Sequence, residues 1–154
     1  MTQRIGPAPA GVKVPFWAWH TVDWKHRKVD LRTTLFRNYP DPTVCLELEV
    51  PDDQVLLSDF ENWHFVLNNW YLGDARSDKE LDAEDAWLDS LSESRRQERK
   101  RQSWTKIFDV APFEDEWQRR GMFVQATFWE LKLADVVGVR YFHWPPLKKL
   151  TNNI

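Results

Sequence analysis

The sequence predicts an α+β fold, in which one small, mostly antiparallel sheet of about five strands has helices inserted between its early and late strands. Three observations predict it. Strand-like apolar stretches lie near both ends of the chain, apolar residues recur at helical spacing between them, and no segment repeats. Because 154 residues suffice for a compact domain with a sizeable core, we expect one domain, 1–154.

The early strands are predicted at Val14–His20 and Thr43–Val50, with a polar loop at 23–42 between them. Side chains alternate across a strand, which places Trp17 and Trp19 on the same face of the first strand. We expect both indoles in the core. In the second strand, apolar residues alternate with glutamates, as is typical of a half-buried strand.

The clearest helix start follows VLL, which is predicted to form a short strand. Ser58 and Glu61 have the S-x-x-E spacing of a capping box, in which each side chain satisfies a backbone donor at the other position. Apolar residues then recur at helical spacing and predict a helix whose apolar face packs on the sheet. They are Phe60, Trp63, Leu67 and Trp70.

The charged segment 80–107 predicts two helices, the second starting near Ser90, where Ser90 and Glu93 repeat the capping-box spacing. Its basic run, 95–101, is interpreted as a solvated helix face, with nucleic-acid contact as the alternative. A short helical turn is predicted at Pro112–Arg120. The late strands are predicted at Phe123–Leu131 and Val136–Phe142.

The charge and the cysteine content restrict the function classes. The 21 basic and 24 acidic residues give a net charge of -3, so no global positive field attracts nucleic acid or a membrane surface. No stretch reaches the roughly 20 apolar residues that span a bilayer. The single cysteine, Cys45, excludes an internal disulfide and a cysteine-based zinc cluster. We expect a cytoplasmic protein.

Ten tryptophans are the compositional outlier. Indole rings fill small cores, and they also stack on bases and sugars, so their abundance is typical of both a core and a ligand platform. For any single tryptophan, the core interpretation is favoured because tryptophan is highly buried on average.

The sequence contains no P-loop, G-x-G-x-x-G, H-E-x-x-H or nucleophile-elbow motif. With one cysteine and four separated histidines, no metal site is predicted. His64 lies on the predicted helix beside Trp63. It is interpreted as a histidine at the edge of the core, bonded to the backbone, with a general base as the alternative.

Four polar side chains form the predicted ligand-binding set: His20, Arg32, Gln125 and Thr127. His20 ends the first strand, where a side chain can point into a cleft. A glutamine and a threonine on one face of an apolar strand need hydrogen bonds if they are buried. They therefore either form hydrogen bonds to other groups of the protein or line a pocket. Arg32 offers a planar fork to an anion, and a salt bridge to Asp30 is the other interpretation.

Five stretches, in this order and spacing, resemble an uncharacterised bacterial family, domain of unknown function 3841. They are PFWAWH, VDLR, VLLSDFENWHFVLNNWYL, SWTKIFD and QATFWELKL. The resemblance covers about Arg4 to Phe142 and brings no established activity. Members of the family usually begin with an additional segment resembling LWTIQ, so the resemblance implies that an upstream strand and helices are absent here.

A second similarity concerns layout alone: the order of strands and the capped helix looks like the split sheet of ADP-ribosyltransferases. That similarity implies NAD as a cosubstrate and a catalytic carboxylate or base, for which Glu130 and His64 are the candidates. The position after Gln125 and Ala126 holds Thr127, where those enzymes commonly have a glutamate that stabilises charge at the ribose. This likeness is fold-level analogy.

Three functions therefore compete. The first is a nucleotide-like ligand-binding domain with an aromatic-lined cleft and no cofactor. The second is an ADP-ribosyltransferase-like enzyme. The third is a non-enzymatic interaction factor, in defence or counter-defence, whose charged helices at 80–107 dock on a protein partner.

Overall fold

The computed structural model of the chain describes residues 1–36 and 42–142. Contacts divide the chain into two units, Met1–Arg27 with Asp52–Glu130 and Lys28–Pro51 with Leu131–Ile154. Helices and small antiparallel sheets occur together in the described residues, which confirms the α+β class. Within residues 1–36 and 42–142, the strands are distributed over three sheets rather than one.

The described residues contain four α-helices and seven strands. The helices are α1 (Thr2–Ile5), α2 (Phe60–Leu67), α3 (Asp78–Ser90) and α4 (Glu93–Ser103). The strands are β1 (Phe16–Val22), β2 (Thr43–Leu48), β3 (Leu56–Asp59), β4 (Phe113–Glu114), β5 (Arg119–Arg120), β6 (Phe123–Phe128) and β7 (Val136–Phe142).

A three-stranded antiparallel sheet, in the order β1-β6-β3, forms the centre of the first unit. The alternate β6 residues Val124, Ala126 and Phe128 are all buried and supply the core on one face. The ring of Phe16 stacks on that of Phe128 at 6.1 Å. The sheet is therefore built around β6, the last of its strands in the chain.

A bulge interrupts β1 at His20. Trp19 lies opposite Gln125 and Thr21 opposite Val124, so His20 is an extra residue without a partner in the ladder. Trp19 is half-buried and packs edge-on against Phe60 of α2, with ring centroids 4.8 Å apart, which fits the core expectation only in part. The same expectation is wrong for Trp17, whose exposed fraction is 56%.

The capping box predicted at Ser58 and Glu61 is wrong. Ser58 is buried within β3, and Asp59 is the N-cap of α2, with its carboxylate accepting a hydrogen bond from the Asn62 backbone at 2.8 Å. The helix ends at Leu67 because Asn69 has a left-handed backbone, φ 54°. Trp70 thus lies beyond the helix and does not extend its apolar face.

Two helices occupy the charged segment, as predicted, but the second starts later than Ser90. Ser90 lies in the last turn of α3, where its hydroxyl donates to the Trp87 carbonyl at 2.6 Å. The N-cap of α4 is Ser92, and the basic run 95–101 lies within this helix.

The short helical turn predicted at Pro112–Arg120 is a β-hairpin instead, formed by β4 and β5. Asp115 explains the difference, since its carboxylate accepts hydrogen bonds from the backbones of Trp117 and Gln118, each at 2.8 Å. An aspartate that bonds its own backbone two and three residues on is typical of a turn.

The second unit contains the two-stranded sheet of β2 and β7, and β7 has the predicted bounds. On one face, Glu47 pairs with Arg140 at 2.6 Å and with Lys28 at 2.7 Å. The other face carries exposed apolar side chains, which are Val44, Leu46, Val137, Val139 and Tyr141.

The predicted loop at 23–42 begins with a two-residue turn. Asp23 and Trp24 both have positive φ angles, 54° and 55°, and Val22 and Lys25 pair on either side of them. A short 3-10 helix follows at Thr34–Phe36, and residues 37–41 lie outside the described part of the chain.

A candidate ligand cleft

His20 is held in a pair with His26. The two imidazole rings stack with centroids 3.9 Å apart, and His26 Nδ1 donates to the His20 carbonyl at 2.7 Å. His20 Nδ1 lies 2.9 Å from the hydroxyl of Thr21. Burial, and then the charge of His26, lowers the pKa of His20, and Asp52 partly offsets this. His20 therefore favours the neutral form more than an exposed histidine does.

Gln125 is bonded within the fold. Its side-chain amide is buried and donates to the Ser58 hydroxyl at 3.0 Å, across neighbouring strands. Thr127, two residues on, lies opposite Trp17 and is half-buried on the same face of the sheet. That either residue binds a ligand stays a prediction.

Arg32 belongs to the second unit and engages Asp30. Its Nε and Nη2 donate to the two carboxylate oxygens at 2.9 and 2.8 Å, a bidentate pair that fits the salt-bridge interpretation. The Arg32 hydrogen bond holds the pKa of Asp30 well below its ordinary value. A ligand anion at this guanidinium must compete with that carboxylate.

The two catalytic candidates, His64 and Glu130, have different surroundings. His64 donates from Nδ1 to the Phe60 carbonyl at 3.0 Å, a backbone bond of the kind expected for a structural histidine. Glu130 is exposed just beyond β6 and has no hydrogen bond or ion pair within the described residues. Neither observation tests a catalytic role.

The first unit contains a cleft of about 1110 Å³. Its walls come from α2, the segment 70–76, α3, α4 and the β4-β5 hairpin, and its lining reaches Phe123 at the start of β6. None of the six sequence-predicted site residues lines it.

The segment 70–76 is fixed to the helices by a set of hydrogen bonds. Leu72 N donates to the Ser103 hydroxyl at 3.0 Å, and the indole of Trp104 donates to the Trp70 carbonyl at 2.7 Å. Gly73 lies so close to α3 that a Cβ there would clash with the Glu84 carboxylate. The wall of the cleft is therefore tethered along its length rather than suspended as a free loop.

Two indoles stand partly exposed in the lining. Trp70 is 56% exposed and Trp117 is 44% exposed, although tryptophan is usually buried. The ring of Trp70 rests edge-on against Phe65, with centroids 6.0 Å apart. Such surfaces can stack on a flat ring.

The lining contains eight acidic and five basic side chains. Four of the bases are arginines paired with carboxylates: Arg76 with Asp115, Arg96 with Asp89, Arg119 with Glu114 and Arg120 with Asp109. Three of the acids, Glu61, Asp85 and Glu116, have no hydrogen bond or ion pair within residues 1–36 and 42–142. They are available to accept hydroxyl donors or to pair with a cation.

The described residues contain no group of three or more histidine, cysteine or acidic side chains placed to hold a metal ion. In the same residues, no helix has both the length and the apolar character needed to cross a bilayer.

The sequence contains a signal for one of the two indoles in the cleft. Trp117 lies in a polar segment, EDEWQRR, rather than on a periodic apolar face, whereas helical spacing assigns Trp70 to the predicted apolar face of the capped helix. A tryptophan outside the hydrophobic period is less well explained as core.

No curated protein and no solved structure matches this chain. Residues 1–137 match the family described as Domain of unknown function (DUF3841). The match covers most of the chain, as the five quoted stretches predict, and the chain belongs to this family.

Proposed function

We propose that this chain is a ligand-binding domain that takes a nucleotide-like ligand, one with a nucleobase or similar flat ring, in the cleft of the first unit. The observation that supports the proposal is the pair of partly exposed indoles, Trp70 and Trp117, in the lining of a cleft of about 1110 Å³. Concave sites with aromatic walls and a few polar groups are the usual form of a small-molecule site.

Stacking supplies the main attraction in this proposal. A base stacked on an aromatic side chain contributes roughly 1–3 kcal/mol, and the contact tolerates different bases because each has a flat face. The ring of Trp70 contacts that of Phe65 at a steep angle, and its backbone carbonyl accepts a hydrogen bond from Trp104, so ring and backbone both have contacts before a ligand arrives. A pre-organised ring loses little conformational entropy on binding.

The remaining polar groups suit a sugar. Glu61, Asp85 and Glu116 line the cleft without partners in the described chain, and carboxylates accept hydrogen bonds from ribose hydroxyls. His64 and Glu130 do not line the cleft, so this proposal gives them no role.

Calorimetric titration with adenosine and with NAD tests the proposal. We expect wild type to bind at least one of the two saturably, and Trp70→Ala to weaken that binding roughly 5- to 150-fold, since a stacking contact of about 1–3 kcal/mol is lost. Trp17→Ala is the matched control, because Trp17 has the same 56% exposure and rests edge-on against Trp19, yet lies outside the cleft. The control should bind like wild type.

Binding that Trp17→Ala weakens as much as Trp70→Ala would place the ligand elsewhere. Absence of saturable heat with both ligands at millimolar concentration would reject the proposed function.

A further inference from the structure

We infer that the cleft selects a nucleoside-like ligand whose bound part is neutral or positively charged, and that it discriminates against a phosphate. The inference rests on the proposed function and adds the charge of the ligand to it. It stands on the cavity, its indoles and the pairing of every arginine in its lining.

The arginines of the lining are already satisfied. Arg76 donates to Asp115 at 2.6 Å, and its guanidinium also lies 5.2 Å from the centre of the Phe113 ring. Arg120 pairs with Asp109, donates from Nε to the Ala111 carbonyl at 3.1 Å, and lies 5.5 Å from the centre of the same ring. A phosphate bound by either arginine would have to displace a carboxylate and leave it without its partner.

The other basic contacts repeat this pattern. Arg96 donates to the carbonyls of Leu88 and Asp89, at 3.1 and 3.2 Å, and so completes the end of α3 rather than facing the cleft as a free cation. Lys100 is the one base of the lining whose side chain has no partner in the described residues. Among the side chains of the lining without a partner in the described residues, three carboxylates therefore outnumber one ammonium.

The indoles add to the same preference. The face of an indole ring attracts a cation placed within about 6 Å of its centre. Trp70 and Trp117 therefore favour a positively charged group as well as a flat ring. A negatively charged group meets neither an attractive ring face nor an unengaged guanidinium.

A series of adenosine derivatives that differ in the group at the 5′ position measures how the charge of the ligand affects its affinity. The probes are 5′-amino-5′-deoxyadenosine, adenosine, AMP and ADP, whose charge near neutral pH runs from positive through zero to increasingly negative. We expect affinity to fall along this order by roughly 2- to 10-fold per unit charge at low salt. The differences should shrink at high salt, since the unpaired carboxylates are exposed and the Debye length shortens.

A triple variant tests the residues. Glu61→Gln, Asp85→Asn and Glu116→Gln together should remove most of the gap in affinity between adenosine and AMP, because three repelling charges are removed. The control triple is Asp53→Asn, Asp82→Asn and Glu130→Gln. It removes the same net charge from exposed residues that lie outside the cleft and have no partner in the described chain. The control should keep the wild-type gap.

The outcomes separate the inference from the proposed function. If adenosine binds but AMP binds as tightly or more tightly, the charge preference is wrong and the cleft remains a nucleotide-like site. If the gap is the same in the triple variant as in wild type, these carboxylates do not set it and the inference also fails. If no member of the series binds, the proposed function itself is rejected.

Discussion

The carboxylate of Asp59 joins the start of α2 to Gly121. One oxygen accepts the Asn62 backbone N–H at 2.8 Å and the other accepts the Gly121 backbone N–H at 2.6 Å. Asp59 is only 1% exposed, and the residues that it joins lie on opposite sides of α3 and α4 in the sequence. The buried charge is therefore balanced by two backbone donors and the helix N-terminus.

Replacing Asp59 with alanine should destabilise the chain by about 2–4 kcal/mol, because a helix cap and a buried charge-assisted bond are lost together. Chemical denaturation measures the change in the free energy of unfolding. Asp53→Ala is the control, since Asp53 is exposed and outside these contacts, and its effect should stay within about 0.5 kcal/mol. Equal losses in the two variants would contradict this role of Asp59.

Gly121 itself is predicted to resist substitution. Its φ is 77°, and a Cβ there would lie 2.7 Å from the Val110 carbonyl oxygen. Gly11 has a similar φ, 85°, but a Cβ there would meet no atom within 4 Å. Gly11→Ala should thus cost about 1 kcal/mol from backbone conformation alone, and Gly121→Ala about 2–4 kcal/mol because a clash is added.

Thermal or denaturant unfolding of the two variants measures these losses, and Gly121→Ala should be the less stable of the two. Closely similar losses at the two glycines would mean that the contact with Val110 relaxes freely.

The Ser58 and Gln125 pair is expected to behave as a structural hydrogen bond. Ser58→Ala leaves the buried amide of Gln125 without its acceptor and should cost about 1–3 kcal/mol. Adding Gln125→Leu to this variant should cost less than the sum of the two single changes, since both polar groups are then removed. Strict additivity in this double-mutant cycle would show that the bond contributes nothing.

His20 should make stability depend on pH. Its pKa in the folded state lies below the ordinary 6.5, so between these two values the folded chain binds fewer protons than the unfolded chain. The stabilising effect of the neutral imidazole is then present above about pH 6.5 and is lost as the pH falls below it. Denaturation at a series of pH values, from about 7.5 down to about 5, measures this loss.

His26→Gln should raise the pKa of His20, because the nearby imidazole charge is removed while a side-chain N–H remains to bond the His20 carbonyl. A proton NMR titration of the His20 ring follows this pKa. His64→Gln is the control and should leave it unchanged, since His64 is bonded to Phe60 and is absent from the causes of the shift. A His20 pKa indifferent to His26 would contradict the pairing.

The sequence predicted those elements whose patterns are set locally. The bounds of β7 follow from an apolar run, and the two charged helices follow from composition, although the predicted cap at Ser90 is wrong and Ser92 is the N-cap of the second helix. Where two neighbouring residues could both cap a helix, the sequence pattern did not identify which of them does. Ser58 could cap a helix, but Asp59 beside it offers two acceptor oxygens, and the chain uses Ser58 in a strand.

The candidate site was less accessible to sequence reasoning than the fold. The sequence places His20 at the end of the first strand, but the strand continues to Val22 and a bulge removes His20 from the ladder, and bulges leave no dependable mark in sequence. The cleft depends on Trp70 and Trp117, which lie 47 positions apart and meet one cavity only after α3 and α4 have packed. A local sequence pattern cannot indicate that two residues so far apart line the same cavity.

The position of β6 at the centre of its sheet has a consequence for synthesis on the ribosome. β1 is complete at Val22, and its partner begins only at Phe123, roughly 100 residues later. At about 5–20 residues per second, the edges of β1 and β3 stay open for several seconds or more before the strand between them exists. The nascent chain thus exposes aromatic strand edges during translation, and its yield in cells should depend on how well holding chaperones cover them.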